Sequence, residues 1–145
     1  MSAPLSLWSA LALGLALLAA PARADEDEAE TCIRTLMWSG YTEGWAVRTA
    51  TTATVGAGDH RVYLLSLFGG NEYRVQVCGD SNAADIDLVL HDADGVELSR
   101  DGDDGPRPSL RFKVEKTAPY YLAVHAANLS AGATGAGIAM AVSYR

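Results

Sequence analysis

The hydrophobic positions of the chain change period once, near Trp45, from a helical pattern to an extended one. Before that point apolar residues recur three and four positions apart, which is one face of a helix: Ala29, Cys32, Ile33, Leu36 and Met37. The acidic run that precedes them favours a helix start. Gly40 stands where a glycine commonly ends a helix. The pattern therefore predicts a short helix from about Glu28 to Ser39, with Cys32 on its buried side.

After Trp45, apolar and polar residues alternate in short segments bounded by Gly, Pro, Asp or Asn. Such segments are typical of the strands of a β-sandwich or barrel. Small residues from Ser130 to Gly137 predict a loop before the last strand. The eight predicted strands are Ala46–Val55, His60–Phe68, Tyr73–Cys78, Asp85–His91, Val96–Arg100, Leu110–Val114, Tyr120–Val124 and Ile138–Tyr144.

The N-terminus has the pattern of an export signal. An apolar run from Leu5 to Ala20 is short for a membrane span, and Ala22-Arg23-Ala24 matches a small-residue cleavage site. The alternative is an uncleaved anchor, which the hydrophilic run directly after Ala24 disfavours. We therefore expect a signal peptide over residues 1–24, an acidic segment with a short helix over 25–43, and a sandwich domain over 44–145.

Charge limits the classes of partner. Cleavage after Ala24 leaves 121 of the 145 residues, and since Arg23 is the only charged residue of the leader, the net charge goes from −7 to −8. A strongly acidic surface disfavours nucleic acid and anionic membrane as partners.

The mature chain has the size of one domain with a single core and contains no second apolar run of spanning length. We therefore expect a periplasmic or secreted protein.

The two cysteines, Cys32 and Cys78, both follow the leader. In an oxidising compartment two cysteines most simply form one disulfide, here closing a loop that spans 46 positions. The alternative is two separate buried thiols. A redox-active pair is disfavoured because the spacing is not that of a Cys-x-x-Cys motif, which lowers a thiol pKa.

Motifs for catalysis are missing from the sequence. His60, His91 and His125 lie in or directly after predicted strands, near sheet ends, and form no zinc-binding motif, and no serine stands in a Gly-x-Ser-x-Gly elbow. These features predict a protein without enzymatic activity. Trp38, Tyr41 and Trp45 near the helix end are interpreted either as packing residues or as an aromatic platform for sugar or peptide.

One cluster of acidic residues is the strongest candidate site. Eight acids fall within 20 positions: Asp85, Asp87, Asp92, Asp94, Glu97, Asp101, Asp103 and Asp104. Asp85 and Asp87 share one strand face, and oxygen-rich loops are what calcium prefers. The sequence thus predicts a calcium site near Asp85, Asp87, Asp101 and Asp103. The alternative is turn chemistry, since Asp and Gly are also the residues that tight turns require.

Three segments resemble the bacterial pre-peptidase C-terminal domain: Gly69-Gly-Asn-Glu-Tyr73-Arg-Val-Gln-Val, Ala84-Asp-Ile-Asp-Leu-Val-Leu-His-Asp-Ala-Asp-Gly95 and Thr117-Ala-Pro-Tyr-Tyr-Leu-Ala-Val124. The resemblance covers roughly Ala46 to Tyr144. One departure is Ala118-Pro119, where the family usually has a glycine before the tyrosine. The resemblance implies an exported, all-β, jelly-roll-like antiparallel sandwich, usually without catalytic residues. Family members commonly accompany exported hydrolases, and some bind calcium or matrix polymers.

The leading hypothesis is a non-enzymatic exported module that binds an envelope protein or polymer. One alternative is a structural domain that calcium stabilises. Another is an accessory or inhibitor of an exported peptidase, for which the sequence shows no inserted inhibitory loop. No cofactor other than calcium is indicated.

Overall fold

The computed structural model describes residues 23–145 as one α-helix followed by eight β-strands. The predicted signal peptide lies almost wholly outside the described residues. The elements are α1 (Glu26–Thr42), β1 (Ala46–Gly56), β2 (His60–Leu67), β3 (Glu72–Gly79), β4 (Ala83–His91), β5 (Glu97–Asp101), β6 (Ser109–Lys113), β7 (Ala118–Leu129) and β8 (Gly135–Tyr144).

The strands form two four-stranded sheets, in the orders β1-β8-β3-β6 and β2-β7-β4-β5, with antiparallel pairing throughout. Apart from the β4–β5 hairpin, each connection carries the chain from one sheet to the other. This is the strand arrangement of a jelly roll, so the predicted all-β, jelly-roll-like sandwich of about eight strands behind one helix is confirmed.

The core lies between the sheets and is built from the inward residues of alternating strands. On β4, for example, Ile86, Leu88 and Leu90 are buried, while Asp85 before Ile86 and Asp87 after it are partly exposed. The largest fully buried side chain is Tyr73, whose hydroxyl accepts the N–H of Phe68 at 2.9 Å. The alternation read from the sequence therefore orients the strands correctly.

Helix α1 extends beyond its predicted ends. The Asp25 side chain accepts the N–H of Glu28 at 3.0 Å, which caps the helix and starts it at Glu26. Gly40 does not end the helix. It is buried inside α1, where an added Cβ would collide with the guanidinium of Arg74, so this glycine permits a close approach of helix to sheet.

The largest differences from the predicted strand boundaries lie on either side of the last loop. β7 continues to Leu129 and β8 begins at Gly135, so the predicted loop from Ser130 to Gly137 is shorter than expected. Gly137 belongs to β8 and lies against α1, where an added Cβ would meet the backbone of Asp25. Within residues 23–145, no helix has the length and apolar character needed to cross a membrane.

Candidate functional site

Helix α1 lies across the outer face of the sheet β1-β8-β3-β6, chiefly over β8. The two alanines of β8 below it, Ala139 and Ala141, are fully buried, and Ala29 and Ile33 of the helix pack on them. Small residues on a strand let a helix backbone come close. The Cys32–Cys78 disulfide joins α1 to β3 in the same cluster, as the sequence predicted.

An open groove of about 730 Å³ follows the side of α1 that faces away from β3, between the helix and the edge strand β1. Its residues come from both elements: Thr31, Arg34, Thr35, Met37, Trp38, Tyr41, Val47 and Ala50. Trp38 is 72% exposed and Tyr41 is 68% exposed, with their ring centroids 6.0 Å apart. The two rings form the most prominent exposed aromatic surface of the described chain.

The helical period explains why these rings are exposed. Ile33 and Met37 face the sheet, whereas Trp38 and Tyr41 lie three positions apart on the flank of the helix. Val47 on β1 is 45% exposed and extends the apolar surface. Sequence periodicity could mark the two rings as off the buried face, but only the packing of α1 beside β1 forms a groove.

The chemistry of the groove is that of a contact surface. Its lining, as far as residues 23–145 show it, contains no histidine, cysteine, serine or carboxylate, so it offers no nucleophile paired with a base. Arg34 is its one cationic side chain, and it forms an ion pair with Glu30 one helical turn earlier. Apolar area with one charged rim residue can bind and orient a partner.

Trp45, the third aromatic residue near the helix end, has a different environment. It is 3% exposed, and three guanidinium groups lie against its ring, with Arg145 at 4.4 Å, Arg74 at 4.5 Å and Arg111 at 5.3 Å from the centroid. Glu72 accepts hydrogen bonds from Arg145 and Arg111 at 2.8 and 2.7 Å. Trp45 is therefore a packing residue, and the platform interpretation applies to Trp38 and Tyr41 alone.

The ionisable groups with shifted pKa values are held by ion pairs or burial. Hydrogen bonds from Arg145 and Arg111 lower the pKa of Glu72, and a hydrogen bond from Arg100 lowers the pKa of Glu97. Burial raises the pKa of Tyr63. None of these residues lines the groove, so their shifts report on stability rather than on the candidate site.

In the acidic cluster, two carboxylates hold the loop between β5 and β6. Asp85 accepts the N–H of Gly105 at 3.0 Å. Asp101 accepts the N–H groups of Asp103 at 3.2 Å and of Ser109 at 2.8 Å. These bonds are the loop chemistry that formed the alternative interpretation of the cluster.

The four predicted calcium ligands are not all brought together. Asp101 of β5 is paired with the buried residue Leu88 of β4, so its side chain lies on the inner face of the sheet. Asp87 is next to Leu88 along β4, so its side chain lies on the outer face. Among residues 23–145 no group of three or more potential ligands is arranged to hold a metal ion. Calcium binding stays a prediction, which melting curves in millimolar calcium and in chelator would test.

All three histidines lie on the outer face of the sheet β2-β7-β4-β5. His60 pairs with His125, and His125 pairs with Asp87, whose carboxylate lies 3.7 Å from the imidazole. His60 begins β2 and His91 ends β4 as expected, but His125 lies within β7 because that strand is longer than predicted.

Comparison with known proteins identifies a similar fold. No family model matches the chain, and no curated protein matches it. Among solved structures, the Aeromonas hydrophila protein PliG, described as a periplasmic lysozyme inhibitor of g-type lysozyme, aligns with a TM-score of 0.50 and 16% identity, covering 67% of this chain and 85% of PliG. A de novo designed double-stranded β-helix aligns with a TM-score of 0.35 and 18% identity, covering 67% of this chain and 99% of the design.

Proposed function

We propose that this chain is an exported, non-enzymatic module that binds a protein through the groove between α1 and β1. Export is supported by the leader pattern and by the Cys32–Cys78 disulfide, because structural disulfides form and persist in oxidising compartments. The observation that carries the binding proposal is the exposed pair Trp38 and Tyr41.

Exposed tryptophan and tyrosine are costly to leave in water and favourable to bury in an interface. These two residue types, with arginine, dominate binding hot spots in protein interfaces. Here all three types line one groove, since Arg34 lies on the rim beside Trp38 and Tyr41. Because the helix is fixed by a disulfide and by packing on β8, the surface is largely preformed, which lowers the entropy lost on binding.

The charge of the chain selects the class of partner. With a formal net charge of −7, and −8 after cleavage at Ala24, the protein attracts cationic proteins and repels acidic ones. We therefore propose as partner a basic exported protein that presents an apolar segment to the groove. The hypothesis that the chain inhibits or assists an exported enzyme is one form of this proposal.

The fold likeness suggests which purified partner to test first. PliG is described as an inhibitor of g-type lysozyme, so binding and inhibition of a g-type lysozyme by the mature chain are the first assays. The resemblance to the pre-peptidase C-terminal domain adds exported peptidases as the second class to test. These two enzyme classes are candidates for the partner; neither is an activity of this chain.

The experiment compares two double variants, each of which truncates two exposed hydrophobic side chains to alanine, on different faces of the sandwich. Trp38→Ala with Tyr41→Ala removes the exposed rings of the groove. Val62→Ala with Leu64→Ala, at positions 53% and 61% exposed on the other sheet, is the matched control. Partners are captured from envelope extract, identified, purified and measured by titration at two salt concentrations.

We expect the groove variant to raise the Kd for a basic partner at least about tenfold, and the control variant to leave the Kd unchanged. Affinity should fall as salt is raised, because the attraction between opposite charges is screened. Equal binding by wild type and the groove variant would refute the site. Loss of binding in the control variant alone would move the interface to the other sheet. Capture of a polysaccharide in place of a protein would contradict the proposed partner class.

A further inference from the structure

A buried carboxylate lies below the start of helix α1. Asp80 follows β3 and is 2% exposed. Its Oδ2 accepts the backbone N–H of Asp25 at 2.6 Å and that of Gly137 at 2.9 Å. Its Oδ1 accepts the N–H of Asn82 at 3.0 Å. Asp80 thereby connects the first residue before α1 with the turn after β3 and with β8.

This carboxylate has hydrogen-bond donors but no cation. The ion pairs within residues 23–145 do not include Asp80. Buried charged groups are costly unless they are paired as well as hydrogen-bonded. The shortest of its three hydrogen bonds is the one to the nitrogen of Asp25. A positive charge at that nitrogen would complete the site.

The predicted export step would place a positive charge there. Hydrolysis of the Ala24–Asp25 peptide bond uses one water molecule, leaves a carboxylate on Ala24 and frees the amine of Asp25, which takes up a proton at neutral pH. We propose that Asp80 is a buried receptor for this α-ammonium group, so that removal of the leader converts an amide hydrogen bond into a buried ion pair. The inference rests on cleavage after Ala24 and is independent of any binding partner.

The local charges fit this role. A cation at the N-terminus of a helix is opposed by the helix dipole, so a free N-terminus at α1 needs nearby negative charge. Asp80 supplies it at hydrogen-bond distance, and Glu26, Asp27 and Glu28 add further negative charge in the first turn. Processing would then fix the start of α1 to the sandwich where the backbone of Asp25 lies against Gly137 of β8.

The test is a double-mutant cycle on four chains. Two begin at Asp25, with Asp80 or with Asp80→Asn, and two begin at Arg23 and keep the natural Arg23-Ala24 extension, again with Asp80 or with Asp80→Asn. Denaturant unfolding gives the equilibrium constant of each. Because Asp80→Asn replaces the same carboxylate by a neutral amide in both backgrounds, the difference between the two pairs isolates the interaction with the charge at Asp25.

We expect Asp80→Asn to raise the unfolding constant at least about tenfold more in the chain that begins at Asp25 than in the extended chain. Equal effects in the two backgrounds would overturn the proposal. N-terminal sequencing of the exported protein must give Asp25, and a different first residue would overturn it as well.

A second measurement avoids the substitution altogether. In the native chain that begins at Asp25, an acylating reagent should modify the α-amine at least about tenfold more slowly than in the same chain in denaturant, because the group is held against Asp80. The lysines, Lys113 and Lys116, are exposed and serve as internal controls. An α-amine that reacts at the same rate in the folded and unfolded chain would refute the buried ion pair.

Discussion

The two outer faces of the sandwich have opposite environments. On the sheet β1-β8-β3-β6, helix α1 covers the central strand, and β8 is buried on both sides along nine of its ten residues. On the sheet β2-β7-β4-β5, no element of residues 23–145 packs on the outer face, and Val62 and Leu64 of β2 are more than half exposed.

The residues of the central strands explain the difference. The outward positions of β8 below the helix are Gly137, Ala139 and Ala141, which leave room for a helix, whereas the corresponding face of β7 carries the larger side chains of Tyr121 and His125. A helix can approach the first face to backbone contact and cannot approach the second. The covered face thus fixes α1, and α1 in turn exposes Trp38 and Tyr41 beside β1.

The disulfide should contribute most to this difference. Cys32→Ser together with Cys78→Ser removes a cross-link that closes a 46-position loop, and we expect a loss of about 2–4 kcal/mol in the free energy of unfolding. Denaturant unfolding of the oxidised wild type and the double variant measures it. In the double variant, the amides of α1 should lose protection from hydrogen exchange more than those of the strands. An equal loss of protection over the helix and both sheets would contradict the prediction that the disulfide mainly holds α1 on the sandwich.

Close approach at β8 gives the next prediction. Gly137→Ala places a Cβ against the backbone of Asp25, which cannot move without lifting the start of α1, and we expect a loss of about 1–3 kcal/mol. The control is Ala123→Val at a half-buried outer position of β7, where we expect a change within about 0.5 kcal/mol. Thermal unfolding of both variants compares the faces directly, and equal losses would show that coverage by α1 does not distinguish them.

Capping of α1 should have a smaller effect. Asp25→Ala removes the side-chain acceptor of the Glu28 N–H and leaves the backbone nitrogen at Asp80, so we expect a loss of about 1 kcal/mol. Thr31→Ala, on an exposed part of the same helix, is the control and should be neutral. Circular dichroism during denaturation measures both. An Asp25→Ala chain as stable as wild type would show that the cap at Asp25 does not contribute to the free energy of unfolding.

The smallest effect concerns acid stability. Because Arg145 and Arg111 lower the pKa of Glu72 below its ordinary value of 4.5, the folded chain binds this proton less readily than the unfolded chain. The stabilisation is therefore complete above about pH 4.5 and is lost as the pH falls through the lowered pKa of the folded state. Glu72→Gln should flatten the decline in stability below about pH 4.5, measured by unfolding across that range.

Glu97→Gln, on the other sheet, is the matched comparison. The pKa of Glu97 is lowered by Arg100, which lies only three residues away on the same strand. Part of the attraction between Glu97 and Arg100 persists in the unfolded chain. Glu97→Gln should therefore change the decline in stability at acid pH less than Glu72→Gln does. A larger effect at Glu97 would reverse the expected order of the two sheets.

Local patterns in the sequence were sufficient to predict the type and approximate position of the helix and of the strands. Alternation placed all eight strands, and the three- and four-residue spacing placed the helix and put Cys32 on its buried side. The errors lie at the ends of elements. Helix α1 is longer because Asp25 caps it and Gly40 lies inside it at a close approach to Arg74. Strand β8 is longer because Gly135 to Gly137 pair with the end of β1. Glycine marks turns and close approaches alike, and sequence alone does not separate the two.

The sequence by itself determined the sandwich and the helix, because hydrophobic period and turn residues act over a few positions. It favoured the Cys32–Cys78 disulfide because the chain has only two cysteines. The tertiary structure decided which aromatic residues are buried, which acids share a loop, and what covers each sheet. Trp45 is buried by arginines from β3, β6 and β8, while Trp38, only seven positions earlier, is exposed beside β1. The side chains of Asp87 and Asp101 lie on opposite faces of one sheet. Such differences depend on contacts between residues that are distant in the chain, and no local pattern encodes them.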